Sequence, residues 1–261
     1  MRYILNKSIF PVIALVEDSN GNPISGKFLG NCFYCNLGNN LAFITAKHIL
    51  GNIENKNNKT ALIYLNKGVP NIIRINAINT ENTLCDFSFF LPFGSFRDFA
   101  LKECVALRPY AKTLAEGQDV VTYGFPLSRN EIDVNKKDIL EIRQLLFRGY
   151  VQACWNEGRP GQSNQIYALS FPSIPGLSGS PLLAGEEGEL KVAGILYEHH
   201  SLSRQMIIED IESENGKEHI TREYINYEIG IATNHEPFEQ ITQLLLKVTR
   251  ELEDRNKSKS Q

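Results

Sequence analysis

The chain carries no excess of charge of one sign: 27 Lys and Arg stand against 30 Asp and Glu, a formal net charge of −3. Without a broad basic surface, neither nucleic acid nor an anionic membrane surface is expected as a partner. A disulfide framework is also missing. The five cysteines, Cys32, Cys35, Cys85, Cys104 and Cys154, are odd in number and irregularly spaced, which excludes the pattern of a small secreted scaffold and points to a reduced interior. Cys32 and Cys35 form one C-x-x-C. A tetrahedral zinc site needs about four ligands, and no second pair or nearby histidine pair completes it, so no metal or cofactor is expected. Nor is there a long hydrophobic run at the start: Asn6 and Lys7 interrupt "MRYILNKSIFPVIALVED", no small-residue cleavage site follows, and the stretch is too short to span a bilayer. We read it as a strand and expect a cytoplasmic location.

What is present is core-forming material in short pieces. With 261 residues, 42% of them hydrophobic, the chain can bury a substantial core. Apolar runs alternate with turn clusters through "FPVIALV", "GKFLGNCFYC", "LAFITA", "TALIYLN", "VPNIIRINAI", "DVVTYGFP", "RGYVQACW", "QIYALSF" and "LKVAGILYE". Repeated short strands without long intervening helices predict a sandwich or barrel. A break near "LRPYAKTLAEGQ" predicts two β units, residues 1–110 and 111–251, with a charged tail over 252–261. "KKDILEIRQLLF" reads equally as a helix or as the approach to a strand. The stretch around Asn215 and Gly216 predicts a charged hairpin. Beyond Pro237, the stripe Phe238, Ile241, Leu245 and Val248 predicts a C-terminal helix packed on the β body.

Three local contexts carry chemistry. "FITAKHIL" places His48 just after an apolar strand, where a loop side chain is held rigidly yet can face a cleft. "CDFSFFLPF" places Asp86 at the head of a Phe-rich strand, and a carboxylate buried there costs several kcal/mol, roughly, unless a group such as an imidazole N–H pairs with it. "GLSGSP" presents Ser178 in a turn where Gly176 and Gly179 allow close backbone approach and leave N–H groups to point at a bound carbonyl. A nucleophile, a base, an orienting carboxylate and backbone donors are the parts an acyl-transfer site requires.

"TAKHIL", "CDFSFFL" and "GLSGSP" resemble the His, Asp and Ser signatures of trypsin-like (chymotrypsin-fold) serine peptidases, in the same chain order. "GQDVVTYGFP" and "RGYV" are similar to the opening of the second barrel in the high-temperature-requirement branch, and "VAGILYE" to the strand that pairs with substrate. The resemblance implies an all-β fold of two antiparallel β-barrels with His48 and Asp86 on the first, Ser178 on the second and a C-terminal helix. It implies that Ser178 attacks the scissile carbonyl of a protein or peptide, with His48 as base then acid, Asp86 orienting it, and the N–H groups of Gly176 and Ser178 holding the oxyanion. Substrate contacts would come from Pro172 and Ser173 at the base of the specificity pocket and from Tyr197, Glu198 and His199 on the substrate strand. Relatives of this type act as limited processors of one protein, including in bacterial defence, so a regulatory or effector protein partner is expected.

Two departures bear on control. Leu177 stands where secreted relatives carry an aspartate that pairs with a newly cut N-terminus, and Ile49 replaces a disulfide cysteine. Activation by that ion pair is therefore closed to this chain. Two rival readings remain: a latent or non-catalytic binding module on the same fold, and an α/β-hydrolase with Ser178 followed by Asp210 and His219 or His235. Against the second, Pro181 and "AGEEGE" lead out of the serine turn into a strand, not the helix that an elbow requires.

Overall fold

The computed structural model describes residues 2–38, 40–51, 59–66, 69–75, 88–92, 95–126, 131–133, 144–157, 164–171, 174–185, 189–198, 204–214, 217–227, 230–233, 243 and 247. The chain opens with a helical turn, α1 (Arg2–Leu5), where continuous strand was expected. Its residues have the same apolar letters as the strand that follows; Lys7 and Ser8 donate back to Ile4 and Leu5, and the strand starts only at Ile9. Then come β1 (Ile9–Glu17), β2 (Pro23–Leu37), β3 (Asn40–Thr45), α2 (Lys47–Gly51), β4 (Lys59–Asn66), β5 (Val69–Arg74), β6 (Ser88–Phe90) and α3 (Ser95–Glu103). The second half contains β7 (Asp119–Gly124), β8 (Glu131–Asp133), β9 (Leu145–Glu157), β10 (Asn164–Leu169), β11 (Pro181–Ala184), β12 (Lys191–Glu198), β13 (Arg204–Glu214), β14 (Lys217–Tyr227) and β15 (Gly230–Thr233).

These strands make two antiparallel β units and a separate ribbon. The first is a seven-stranded sheet in the order β5-β4-β1-β2-β3-β6, with β8 pairing β2; the second closes into a barrel in the order β10-β15-β12-β11-β7-β9. β13 and β14 pair with each other, from Arg204↔Tyr227 to Glu214↔Lys217, as the expected hairpin. Leu145–Phe147, the end of "KKDILEIRQLLF", are strand; the segment before Gln144 lies outside the described residues. Gln243 and Lys247 are helical and exposed, while the apolar stripe expected around them and the tail lie outside the described residues.

Burial explains why β1 reads as an unbroken apolar run. Residues Ile9 to Leu15 are all buried, because both faces of the strand are covered. Ile9, Ile13 and Leu15 join a cluster with Phe33, Ile44, Tyr123, Phe125, Leu183, Val192 and Ile195, which is the seam between the two β units. Phe10 and Val12 face the other way, into a cluster with Tyr34, Phe43, Phe90 and α3's Phe96. Phe43 is its hub: its ring lies 5.2 Å from Phe90, 4.9 Å from Phe96 and 4.7 Å from Tyr34, centroid to centroid. The second barrel is filled by Leu114, Val120, Val151, Tyr167, Leu169, Leu182 and Leu196, among others.

The segment between the two units is stitched to both. Leu107 donates to Tyr34 O and accepts from Asn36 N on β2, at 2.9 and 2.8 Å. Three residues later Tyr110 donates to Val192 O, and Val192 donates to Arg108 O, at 2.7 and 2.8 Å. It is a strap, and it fixes how the first sheet meets the second barrel.

Candidate active site

His48 reaches the surface because its neighbour does not. β3 ends at Thr45, and Ile49 N closes a turn on Ala46 O at 3.1 Å. Ile49 is fully buried, and His48, beside it in α2, is exposed. A Cβ on Gly30 would lie 2.5 Å from Ile49 Cδ1 and 2.8 Å from Ser178 O; a Cβ on Gly179 would meet Ile49 Cδ1 at 2.9 Å. The residue after the histidine thus packs against the residue after the serine, across the two β units. Only glycine at positions 30 and 179 permits this approach, and Gly179 adds a left-handed φ of 80°.

The Ser178 turn is held by a set of backbone bonds. Leu177 N donates to Ile174 O at 3.1 Å and Ser180 N to Leu177 O at 2.9 Å. Gly179 N donates to Leu196 O at 2.6 Å and Leu196 N to Ser180 O at 2.9 Å, which zips the turn onto β12. Ser178 O accepts from Asn31 N at 2.8 Å. Among the described residues, no acceptor takes the N–H of Gly176 or of Ser178, the donors on either side of Leu177. Ser178 is half-buried. Leu177 is 1% exposed, and its Cδ2 lies 3.0 Å from where a Cβ on Gly124 would stand; its place in the turn is apolar and filled. The turn leads directly into β11.

Sequence reasoning missed Asn31. This wholly buried residue of β2 donates from Nδ2 to Gly176 O at 2.5 Å and, at 3.4 Å, to Ser178 O, while its Oδ1 accepts from Phe125 N at 3.1 Å. The signal was a lone amide in an apolar strand after Gly30, a buried polar group that needed partners.

Other predicted residues are placed unevenly. Tyr197 is buried near the end of β12, and Glu198 is the strand's last residue. Asp86, Pro172, Ser173 and His199 lie outside the described residues. β6 begins two residues after Asp86, and its Ser88 pairs with Thr45, three residues before His48. Asp210 and His219 of the rival reading are on β13 and β14.

Cys85 lies outside the described residues, and the four described cysteines are poor ligands and poor nucleophiles. Cys32 and Cys35 point to opposite faces of β2, one into the first unit's interior and one into the seam, so they cannot share a metal. Burial pushes both thiols well above the usual range, and it raises Cys104 to about 12, helped by the charge of Glu103. Cys154 is also raised, by burial and then by Glu116. Neutral thiols are unreactive. Among the described residues no cluster of His, Cys, Asp or Glu could hold a metal ion, and no helix is long and apolar enough to cross a membrane.

No family signature matches the chain, and no curated protein matches it in sequence. Solved structures do. The protease domain of MamO from Magnetospirillum magneticum, in its apo form, superposes with a TM-score of 0.50 at 12% identity, covering 92% of this chain and 98% of that one. The thermostable serine protease AL20 from an extremophilic microorganism gives 0.53 at 12% identity, covering 91% and 95%. The fold is that of trypsin-like serine proteases. Likeness at this identity extends to the fold alone. The trypsin-like fold disposes of the α/β-hydrolase reading, which needs a parallel sheet and a helix after the serine.

Proposed function

We propose that the chain is a serine endopeptidase that cuts a protein substrate through an acyl-enzyme on Ser178. His48 takes the Ser178 proton and returns it to the leaving amine, and Asp86 holds the imidazole and stabilises its cation. The amides of Gly176 and Ser178 receive the negative charge that develops on the carbonyl oxygen. The observation that carries this reading is the Ser178 turn, in which every neighbouring amide is bonded while those two have no acceptor among the described residues. The packing of Ile49 on Gly179 supports His48 as the base, since it ties the histidine turn to the serine turn.

Peptide hydrolysis needs a cleft and a specificity pocket, and Pro172, Ser173, Tyr197, Glu198 and His199 are the proposed contacts. Pro172 offers no carboxylate to a basic side chain, so small or apolar residues are preferred before the cut. Limited processing of one partner protein in the cytoplasm fits a chain whose turn is ordered without an activating ion pair.

Intact-mass labelling with a fluorophosphonate tests the reading. A single adduct on the native chain, absent from Ser178→Ala and from His48→Ala, is the expected result. With a cleavable peptide in hand, Ser178→Ala should lower turnover by about 10⁴- to 10⁶-fold with the fold intact. A native chain that takes no label leaves the trypsin-like fold as a binding module.

A further inference from the structure

Asn31 belongs to the first sheet, but all of its side-chain bonds go to the second barrel. The carboxamide is wholly buried and its bonds run to Gly176 O, Ser178 O and Phe125 N. Its partner on β1 is Pro11, which has no N–H to offer across that rung, and its own carbonyl accepts from Thr45 Oγ1 at 2.6 Å. The strand is therefore opened at one residue, and the opening is turned toward the serine turn.

Following the turn one peptide unit at a time shows what this achieves. The unit from Gly176 to Leu177 is gripped at both ends, its carbonyl by Asn31 Nδ2 and its N–H by Ile174 O. The unit from Ser178 to Gly179 is gripped the same way, its carbonyl by Asn31 and its N–H by Leu196 O. Between them lies the unit that carries the Ser178 N–H, with its carbonyl bonded to Ser180 N. Both flanking planes are fixed, so the free N–H between them has one orientation. Without the carboxamide, the Gly176 carbonyl loses its partner, and a glycine at a φ of 94° lets that plane turn over.

We propose that Asn31 is the positioning residue of the Ser178 turn, holding the backbone donors for the oxyanion from the opposite β unit. The inference rests on the reading of Ser178 as nucleophile. It explains how the turn stays ordered with Leu177 at the place where secreted relatives use a buried ion pair. The clamp is built into the fold and needs no processed N-terminus.

The test is fluorophosphonate inactivation kinetics on the full chain with Asn31→Asp and Asn31→Ala. Asn31→Asp keeps the acceptor for Phe125 N and sets a carboxylate against two carbonyls; Asn31→Ala removes the carboxamide. Both retain the backbone bond to Ser178 O. The maximal inactivation rate should fall by about 10²-fold or more, the scale of losing one oxyanion donor, with the reagent's half-saturation concentration nearly unchanged. A role in stability alone would lower the unfolding midpoint and leave the rate of the folded protein as it was. If Asn31→Asp does not fold, Asn31→Ala decides. Rates within threefold of the native chain in a folded variant overturn the proposal. Absence of labelling in the native chain is a different failure: it removes the nucleophile and the proposal with it.

Discussion

Ile49 sets the geometry at the residue scale, because its buried side chain is wedged between Gly30 and Gly179 and so fixes the turns of His48 and Ser178 against each other. Gly179→Ala places a methyl against Asn31 O, Thr45 Oγ1 and Ile49 Cδ1 in a backbone conformation that disfavours it. Overpacking and a left-handed φ add, so a loss above about 2 kcal/mol is expected in urea unfolding. Gly38→Ala is the matched comparison: its φ is 73° but nothing lies within 4 Å. It should cost about 1 kcal/mol, roughly the conformational part alone. Equal losses at the two positions would refute the crowding argument. The local settings of Ser178 and His48 were legible in part: Ser178 lies in the expected turn, and His48 follows an apolar strand but stands in the short helix α2 where a loop was expected. Asn31 was not, because its partners are far along the chain at Gly176, Ser178 and Phe125, and nothing in "FLGNCFYC" names them.

Among the elements, the strands were legible wherever apolar runs ended in turn residues. The short helices were not. α1 uses the same letters as a strand, and nine-residue α3 carries only Phe96 and Ala100 as buried positions, too few to show a helical period. β1 shows the opposite effect. Pro11 in mid-strand argues against a central strand, yet β1 lies between β2 and β4. The conflict dissolves in the register, because pairing with β4 spans only Val12 to Leu15 and leaves Pro11 beyond it. The β13–β14 ribbon invites excision. β12 and β15 pair directly, through Leu196↔Ala232 and Glu198↔Ile231, and the ribbon is a sheet of its own. Replacing residues 204–227 by a short Gly-Ser turn should keep the far-ultraviolet circular dichroism of a folded β protein and move the thermal midpoint by only a few degrees. Collapse of the transition on excision would show that the ribbon supports the barrel.

For the whole molecule, the seam and the first interior together bury Cys32, Cys35 and Tyr34, with Cys104 mostly covered alongside. Burial raises each thiol's proton affinity above its usual range, and that of Tyr34, pushed up to about 12. Below about pH 8.5 neither folded nor unfolded thiols ionise, and their contribution is complete. Above that the unfolded chain releases protons that the folded chain retains, so stability falls with a slope approaching about 1.4 kcal/mol per pH unit for each thiol. The decline for Cys104 ends only near its folded value of about 12. Urea midpoints from pH 8 to 10.5 should fall, and Cys104→Ala should flatten the curve. The strap between the units has a further consequence for the covalent continuity of the chain. Since Leu107 and Tyr110 are bonded to β2 and β12, and β8 returns from the second half to pair with Ser25–Lys27 of β2, one nick beyond the strap, near Glu116, would yield two fragments that remain assembled. The halves are better candidates for split-protein complementation than for separate expression.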